Sequence, residues 1–255
     1  MKIMNFQQAV ARQFNKAAKY YHQHASIQRL TASRLLSLGP ANVNQVLDVG
    51  CGPASTTADL LLRANHYLGV DIAPAMLSKA AADYPELSWL NGEWEALPVA
   101  DNSVDWLFAN LSMQWVDNLQ NAMSEAYRVL KPGGVVTVNT VIEGTFNSFT
   151  KSWNAVDDLQ HTHRFKSAER VQNEVDSVNW RHSEFVTEEH TQYFASVREL
   201  IGSIKGVGAN YVRRTDNAGL MTRNRLQQLE NAFENYRTLQ GLPLEWSILN
   251  IKLVK

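Results

Sequence analysis

The sequence has a single cysteine, Cys51, in 255 residues, which excludes an internal disulfide and suits a reducing compartment. It has no apolar run approaching the ~18 residues that a membrane-crossing helix needs. It has no surplus of either charge. With 24 Lys and Arg against 25 Asp and Glu the net charge is -1, so bulk electrostatics gives no reason to expect nucleic acid or an anionic membrane as partner. Metal-ligand spacing is missing as well. His22 and His24, and again His161 and His163, stand two residues apart, a spacing that puts each pair on different faces of a helix. No metal is expected. The first fourteen residues hold no signal-peptide core, so the expected location is cytoplasmic.

From Val43 to Val138, short apolar runs alternate with helix-like segments, the pattern of parallel β/α units. Strands are expected at 45–49, 66–70, 87–90, 104–109 and 135–140. Helices are expected at 55–64, from Pro74 to about Tyr84, and at 118–130, with Lys131-Pro132-Gly133-Gly134 turning into the fifth strand. A helical arm (1–40) precedes this core (43–140), and a mostly helical insertion (144–215) with a polar strand pair near Ser183–Phe194 follows it. A final unit (222–255) comprises a helix from Arg223 to Thr238, capped by Thr222, and an alternating edge or late strand from Leu244 to Val254.

The most informative segment is Asp48-Val49-Gly50-Cys51-Gly52-Pro53-Ala54, at the end of a strand buried on both faces and the start of a helix, where α/β sheets bind nucleotides. Gly50 and Gly52 allow a tight turn and a close approach of backbone to ligand. Asp71 ends the second strand, 19 residues beyond Gly52, where a carboxylate can accept both ribose hydroxyl protons or cap the helix at Pro74. Nicotinamide and flavin folds want a third glycine where Ser55 stands, and a free helix N-terminus for pyrophosphate. Asp48 and Pro53 suit a cationic adenosyl sulfonium better. Gly92-Glu93-Trp94-Glu95 after the third strand offers an acid and a ring for adenine. Asn110-Leu111-Ser112-Met113-Gln114-Trp115 after the fourth lies where a methyl acceptor would sit. Cys51 reads as a small packing residue.

These segments, with Asp101-Asn102-Ser103-Val104-Asp105 and Tyr127-Arg128-Val129-Leu130-Lys131-Pro132-Gly133-Gly134, resemble class I S-adenosylmethionine-dependent methyltransferases in order and spacing. The flanks narrow the resemblance. Phe14-Asn15-Lys16-Ala17-Ala18-Lys19-Tyr20-Tyr21 with Gln28, His161-Thr162-His163-Arg164-Phe165, Ile204-Lys205-Gly206-Val207-Gly208 and Leu220-Met221-Thr222-Arg223 look like the malonyl-acyl-carrier-protein O-methyltransferases of biotin synthesis. The resemblance implies a Rossmann-like α/β fold with a mostly parallel seven-stranded sheet. It also implies cofactor contacts from Asp48, Gly50, Gly52, Asp71, Ile72, Glu93, Trp94, Asn110 and Gln28. The acceptor pocket would be closed by Tyr21, Gln114 and Trp115, with Arg164 holding the malonyl carboxylate. Two departures stand out. Ala54 replaces a frequent glycine, a mild change if its φ is negative, and Glu93 replaces an aspartate.

The implied reaction methylates the free carboxylate of a malonyl thioester on the phosphopantetheine arm of acyl carrier protein, with malonyl-coenzyme A as the smaller alternative. A carboxylate has a pKa of about 4 and is ionised at neutral pH, so no general base is needed. Arg198, Lys205, Arg213, Arg214, Arg223 and Arg225 offer a basic face to an acidic carrier. Rival readings are a quinone C-methylase, an aconitate-type O-methylase, or a non-catalytic protein that binds the cofactor.

Overall fold

The first strand, β1 (Val43–Val49), buries Val46, Leu47, Asp48 and Val49 in succession, and a strand covered on both faces belongs at the centre of a sheet. A computed structural model, describing residues 6–208 and 222–255, places it there. β2 (Ala64–Asp71) and β3 (Ser88–Asn91) lie to one side, β4 (Val104–Ala109) and β5 (Leu130–Val141) to the other, all parallel. β7 (Leu242–Val254) pairs antiparallel with β5, and β6 (His182–Phe194) antiparallel with β7, giving a seven-stranded sheet in the order β3-β2-β1-β4-β5-β7-β6. The chain reverses direction of growth between β1 and β4. Their carboxyl ends therefore splay connections apart and open a crevice.

Helices cover both faces. The arm comprises α1 (Phe6–Ala17), α2 (Tyr21–His24) and α3 (Ser26–Leu38) rather than one continuous helix. α4 (Thr57–Leu61) and α5 (Pro74–Asp83) join the first three strands. α6 (Leu119–Val129) starts on Asn118, whose side chain accepts from the Asn121 N–H, and buries Leu119, Ala122, Met123, Ala126 and Val129 on one stripe. That stripe meets Leu107, Val136, Val138, Leu249 and Ile251 of the sheet, each large side chain contributing roughly 1.5–3 kcal/mol by leaving water. α3 covers the opposite face through Leu35 and Leu36, against Val46, Trp106 and Phe108. α7 (Asn147–Asn154), α8 (Ala168–Val175), α9 (Val197–Gly206) and α10 (Arg223–Glu234) complete the chain. Thr222 accepts from the Arg225 N–H as the cap of α10.

Three elements differ from expectation. Residues 182–194 form one long strand, not a strand pair, because their alternation is unbroken by any turn residue; each pairs with β7, from His182 opposite Val254 to Phe194 opposite Leu242. β7 is an interior strand, buried on both faces, while β6 is the edge and carries the charges that protect one. α4 spans only Thr57–Leu61, because the preceding loop keeps left-handed backbone as far as Ala54 and no helix can begin there.

Candidate active site

The connection leaving β1 is fixed by backbone groups. The Gly50 and Cys51 N–H groups both donate to the Val70 carbonyl, at 2.7 and 3.1 Å. Asp71, at the end of β2, accepts from the Gly52 N–H at 2.9 Å and, with its other oxygen, from the Ala73 N–H at 2.8 Å. Both glycines have positive φ, +77° and +55°. Their roles separate on sterics. A Cβ on Gly50 would lie 2.3 Å from Cβ of Ser112, so this glycine makes room for the segment after β4. A Cβ on Gly52 would meet nothing within 4 Å and would project into open space. Ala54 has φ of +65°, so its replacement of glycine is not the mild change that a negative angle would make it; its methyl sits in a left-handed backbone at a cost of about 1–2 kcal/mol.

Beneath the loop lies a second acid. Asp48 is 3% exposed and accepts from the Tyr67 hydroxyl at 2.9 Å, and Tyr67 in turn accepts from the Thr57 hydroxyl at 3.1 Å. Burial pushes Asp48 up to about 7, opposed by the Tyr67 hydrogen bond and reinforced by the charge of Asp71. Burial likewise lifts Asp71 to about 6, with the Ala73 and Gly52 N–H groups holding it down. Among the described residues neither carboxylate has a cationic partner. Two buried acids without a counter-charge form a well that a cationic ligand would fill. The Gln28 Oε1 is a further buried acceptor with no hydrogen-bond partner.

Two clefts flank the loop. One is a narrow cleft walled by Gly52, Asp71, Ile72, Glu93, Trp94 and Trp115. The other is walled by Gln28, Arg29, Asp48, Cys51 and Ser55. Tyr21, Gly50 and Asn110 line both, so the clefts meet beside the glycine loop. The donor set of these two clefts, buried carboxylates without a counter-charge beside an unpartnered amide oxygen, suits the cationic S-adenosylmethionine. The nucleoside would take the Asp71 chamber, and the methionyl ammonium the chamber that holds Asp48 and the unpartnered Gln28 oxygen. Burial, then the charges of Asp71 and Asp48, push the Tyr21 hydroxyl above its ordinary range, so it remains a donor where the chambers join. Tyr20 is exposed and packs under Lys19.

Some expected residues do other work. The Asn110 amide donates to the Gln28 carbonyl and accepts from Thr31 and Asn139, so its side chain is a strut tying α3 to β4 and β5. Trp94 is buried in the core and donates to the Ser112 hydroxyl, which fixes its ring in the cleft wall. Sequence reasoning missed Glu95, which accepts from the Gln7 side chain and from the Asp117 and Asn118 N–H groups, lashing α1 over the nucleoside chamber. It also missed Gln7 and Val10, which line that chamber from α1 beside Phe14. Cys51 is buried and packs near Gly69.

The acceptor candidates divide. Trp115 lines the nucleoside chamber and meets the Phe14 and His163 rings edge-on and tilted, at 5.7 and 5.6 Å. Gln114 and Arg164 instead line a third cleft, which among the described residues shares only Val116 with that chamber. Gln114 spends its amide on the Leu111 carbonyl. Arg164 is exposed and is not brought to the junction at Tyr21. Of the expected basic face, Arg198 pairs with Glu230 and Arg225 with Asp157; Arg213 and Arg214 lie outside the described residues. Among the described residues no His, Cys, Asp and Glu group is disposed to hold a metal, and no helix is long and apolar enough to cross a membrane. His161 is stacked on Trp153 at 3.6 Å and bonded to Asp157.

Comparison with known proteins identifies relatives of almost the whole chain. Residues 47–138 match the family model of a methyltransferase domain. The biotin biosynthesis bifunctional protein BioHC of Cellvibrio japonicus is 34% identical over 249 residues, covering 96% of this chain and 50% of that protein, so the chain spans half the length of this relative. The malonyl-[acyl-carrier protein] O-methyltransferase of Hamiltonella defensa is 34% identical over 226 residues, 88% of this chain and 86% of that protein. Among solved structures, the YcgJ protein of Bacillus subtilis superposes with a TM-score of 0.60 at 18% identity, over 88% of this chain and 98% of that one, a likeness of fold. With two buried acids at a glycine loop and relatives of this identity along almost its whole length, the chain belongs to the malonyl-[acyl-carrier protein] O-methyltransferase family of S-adenosylmethionine-dependent methyltransferases.

Proposed function

We propose that this chain methylates the free carboxylate of a malonyl group held as a thioester on acyl carrier protein, a step of biotin synthesis carried out in the cytoplasm. The observation that carries the reading is the pair of buried, uncompensated carboxylates, Asp48 and Asp71, on either side of Gly50–Gly52. When bound, S-adenosylmethionine supplies an electrophilic methyl group on a sulfonium sulfur. Asp71 would hold the ribose hydroxyls, with each of its oxygens retaining a free lone pair beside its backbone bond. Ile72, Glu93 and Trp94 would form the adenine end, and Asp48 with Gln28 the ammonium end.

The malonyl carboxylate is already ionised at neutral pH, and its pKa of about 4 makes a base superfluous. What the protein must supply is alignment, which can contribute roughly 7–11 kcal/mol in well-oriented reactions. Tyr21 stands where the two chambers join and keeps its proton. Its hydroxyl can donate to one carboxylate oxygen and leave the other free as nucleophile. Trp115, against Phe14, closes the same chamber from water.

The test is to incubate the protein with methyl-labelled S-adenosylmethionine and malonyl carrier protein. Base-labile label on the carrier is the expected result. Cofactor binding without transfer to any carboxylate would overturn the reading in favour of a non-catalytic binder.

A further inference from the structure

The third cleft is floored by apolar side chains, among them Met113, Val116, Val141 and Phe165. Its rim is cationic. Lys166 and Arg170 both bond to the side chain of Glu174, so two cations share one carboxylate, and Arg164 has no ion pair among the described residues. Among the described residues of its lining Asp117 is the one acid, against Arg164, Lys166 and Arg170. The cleft adjoins the nucleoside chamber: Val116 lines both, and His163 in its wall packs against Trp115 of that chamber. Gln114 and Thr140 in its wall follow β4 and lie near the end of β5, at the carboxyl edge of the sheet. On the C-terminal helices, by contrast, Arg198 and Arg225 are each matched by an acid of their own, and their surroundings do not open on the cofactor chambers.

We propose that this cleft is where the carrier docks, with the phosphopantetheine arm lying along its apolar floor. Arg164, Lys166 and Arg170 face the arm's phosphodiester and the acidic surface around it. The assignment rests on the malonyl-carrier reading above. An arm is long, flexible and mostly uncharged, so an apolar trough bordering the cofactor chamber suits it. A phosphodiester is a compact anion that a guanidinium can hold through two N–H groups at once. Arg164 then acts on the carrier, at a distance from the malonyl carboxylate, which is consistent with its exposure.

Steady-state label transfer separates the alternatives, using malonyl carrier protein and malonyl-N-acetylcysteamine, a thioester with neither phosphate nor carrier. The double variant Arg164→Glu/Arg170→Glu is expected to raise KM for the carrier substrate roughly tenfold while kcat/KM for the short thioester stays within about twofold of wild type. Lys205→Glu/Arg223→Glu, on the C-terminal helices, is expected to leave both unchanged. An unaltered carrier KM in the first variant, equal losses on both thioesters, or a carrier-specific loss confined to the second variant would each overturn the proposal. Should charge reversal unfold the protein, Arg164→Gln replaces it, read by a weaker dependence of carrier KM on salt than in wild type. Wild-type protein that methylates the short thioester but not the carrier would also overturn the docking assignment. Wild-type protein that methylates neither would remove the function itself, a separate result.

Discussion

The Asp71 carboxylate and the Gly52 backbone N–H are joined by a 2.9 Å hydrogen bond, so the acid that would grip the ribose also holds the loop beneath it. Losing this acid removes a charge-assisted contact to the ligand and slackens the cradle together. Asp71→Ala is expected to weaken S-adenosylmethionine binding by about 2 kcal/mol, the scale of a hydrogen bond to a charged group. Calorimetry showing wild-type affinity would refute the placement of the ribose.

Gly50 and Gly52 are predicted to fail in different ways. Gly50→Ala drives a methyl against Ser112 and should lower the unfolding midpoint markedly, with partial rescue by Ser112→Gly. Gly52→Ala meets no protein atom, so its stability loss should stay near the 1–2 kcal/mol of left-handed strain while cofactor affinity collapses. Thermal denaturation paired with a binding titration distinguishes them. Equal stability losses, or intact binding in Gly52→Ala, would contradict the geometry.

Acidification should weaken the cofactor site. Asp48 at about 7 and Asp71 at about 6 both titrate above an unfolded carboxyl, so the ligand-free fold takes up protons that the unfolded chain does not. Two consequences follow, of opposite sign in pH. The contribution of these groups to ligand-free stability declines as pH rises from about 4 to 7. Affinity for a cationic cofactor is greatest above pH 7 and falls as pH drops through 6. Melting-temperature shifts produced by saturating S-adenosylmethionine should therefore be larger at pH 8 than at pH 5.5, and a flat profile would count against the charged well. Tyr67→Phe removes the hydrogen bond that favours ionised Asp48, so the fall in affinity should begin at higher pH.

Glu95→Ala should free α1 without touching the nucleotide-facing acids. Glu95 is the anchor for the Gln7 side chain and for two N–H groups ahead of α6. Amide exchange in residues 6–17 is expected to accelerate and cofactor dissociation to quicken. Unchanged protection in α1 would show that the arm is held by packing alone.

What was readable beforehand was local. The apolar run at 104–109, the cap Thr222, and the spacing of Asp71 from Gly52 are short-range signals, and each reappears in the fold. What was not readable depends on partners far apart in the chain. The tie between Gln7 and Glu95 spans 88 residues, and Gly50 is required by Ser112, which no spacing rule connects to it. The Asn110 amide looked available for ligand until Thr31, Gln28 and Asn139 closed around it. The sign of φ at Ala54 stays open in the sequence because an alanine does not reveal it; the left-handed backbone is imposed by the turn, not chosen by the residue.

The position of β7 between β5 and β6 has a bearing on synthesis. A nascent chain can assemble its first five strands, and with them the glycine loop and both acids, while residues 242–254 are still untranslated. Residues 182–194 must meanwhile wait with an unsatisfied backbone edge, since their only neighbour in the sheet has not yet been made. Chaperone demand and misassembly during translation should concentrate in that interval.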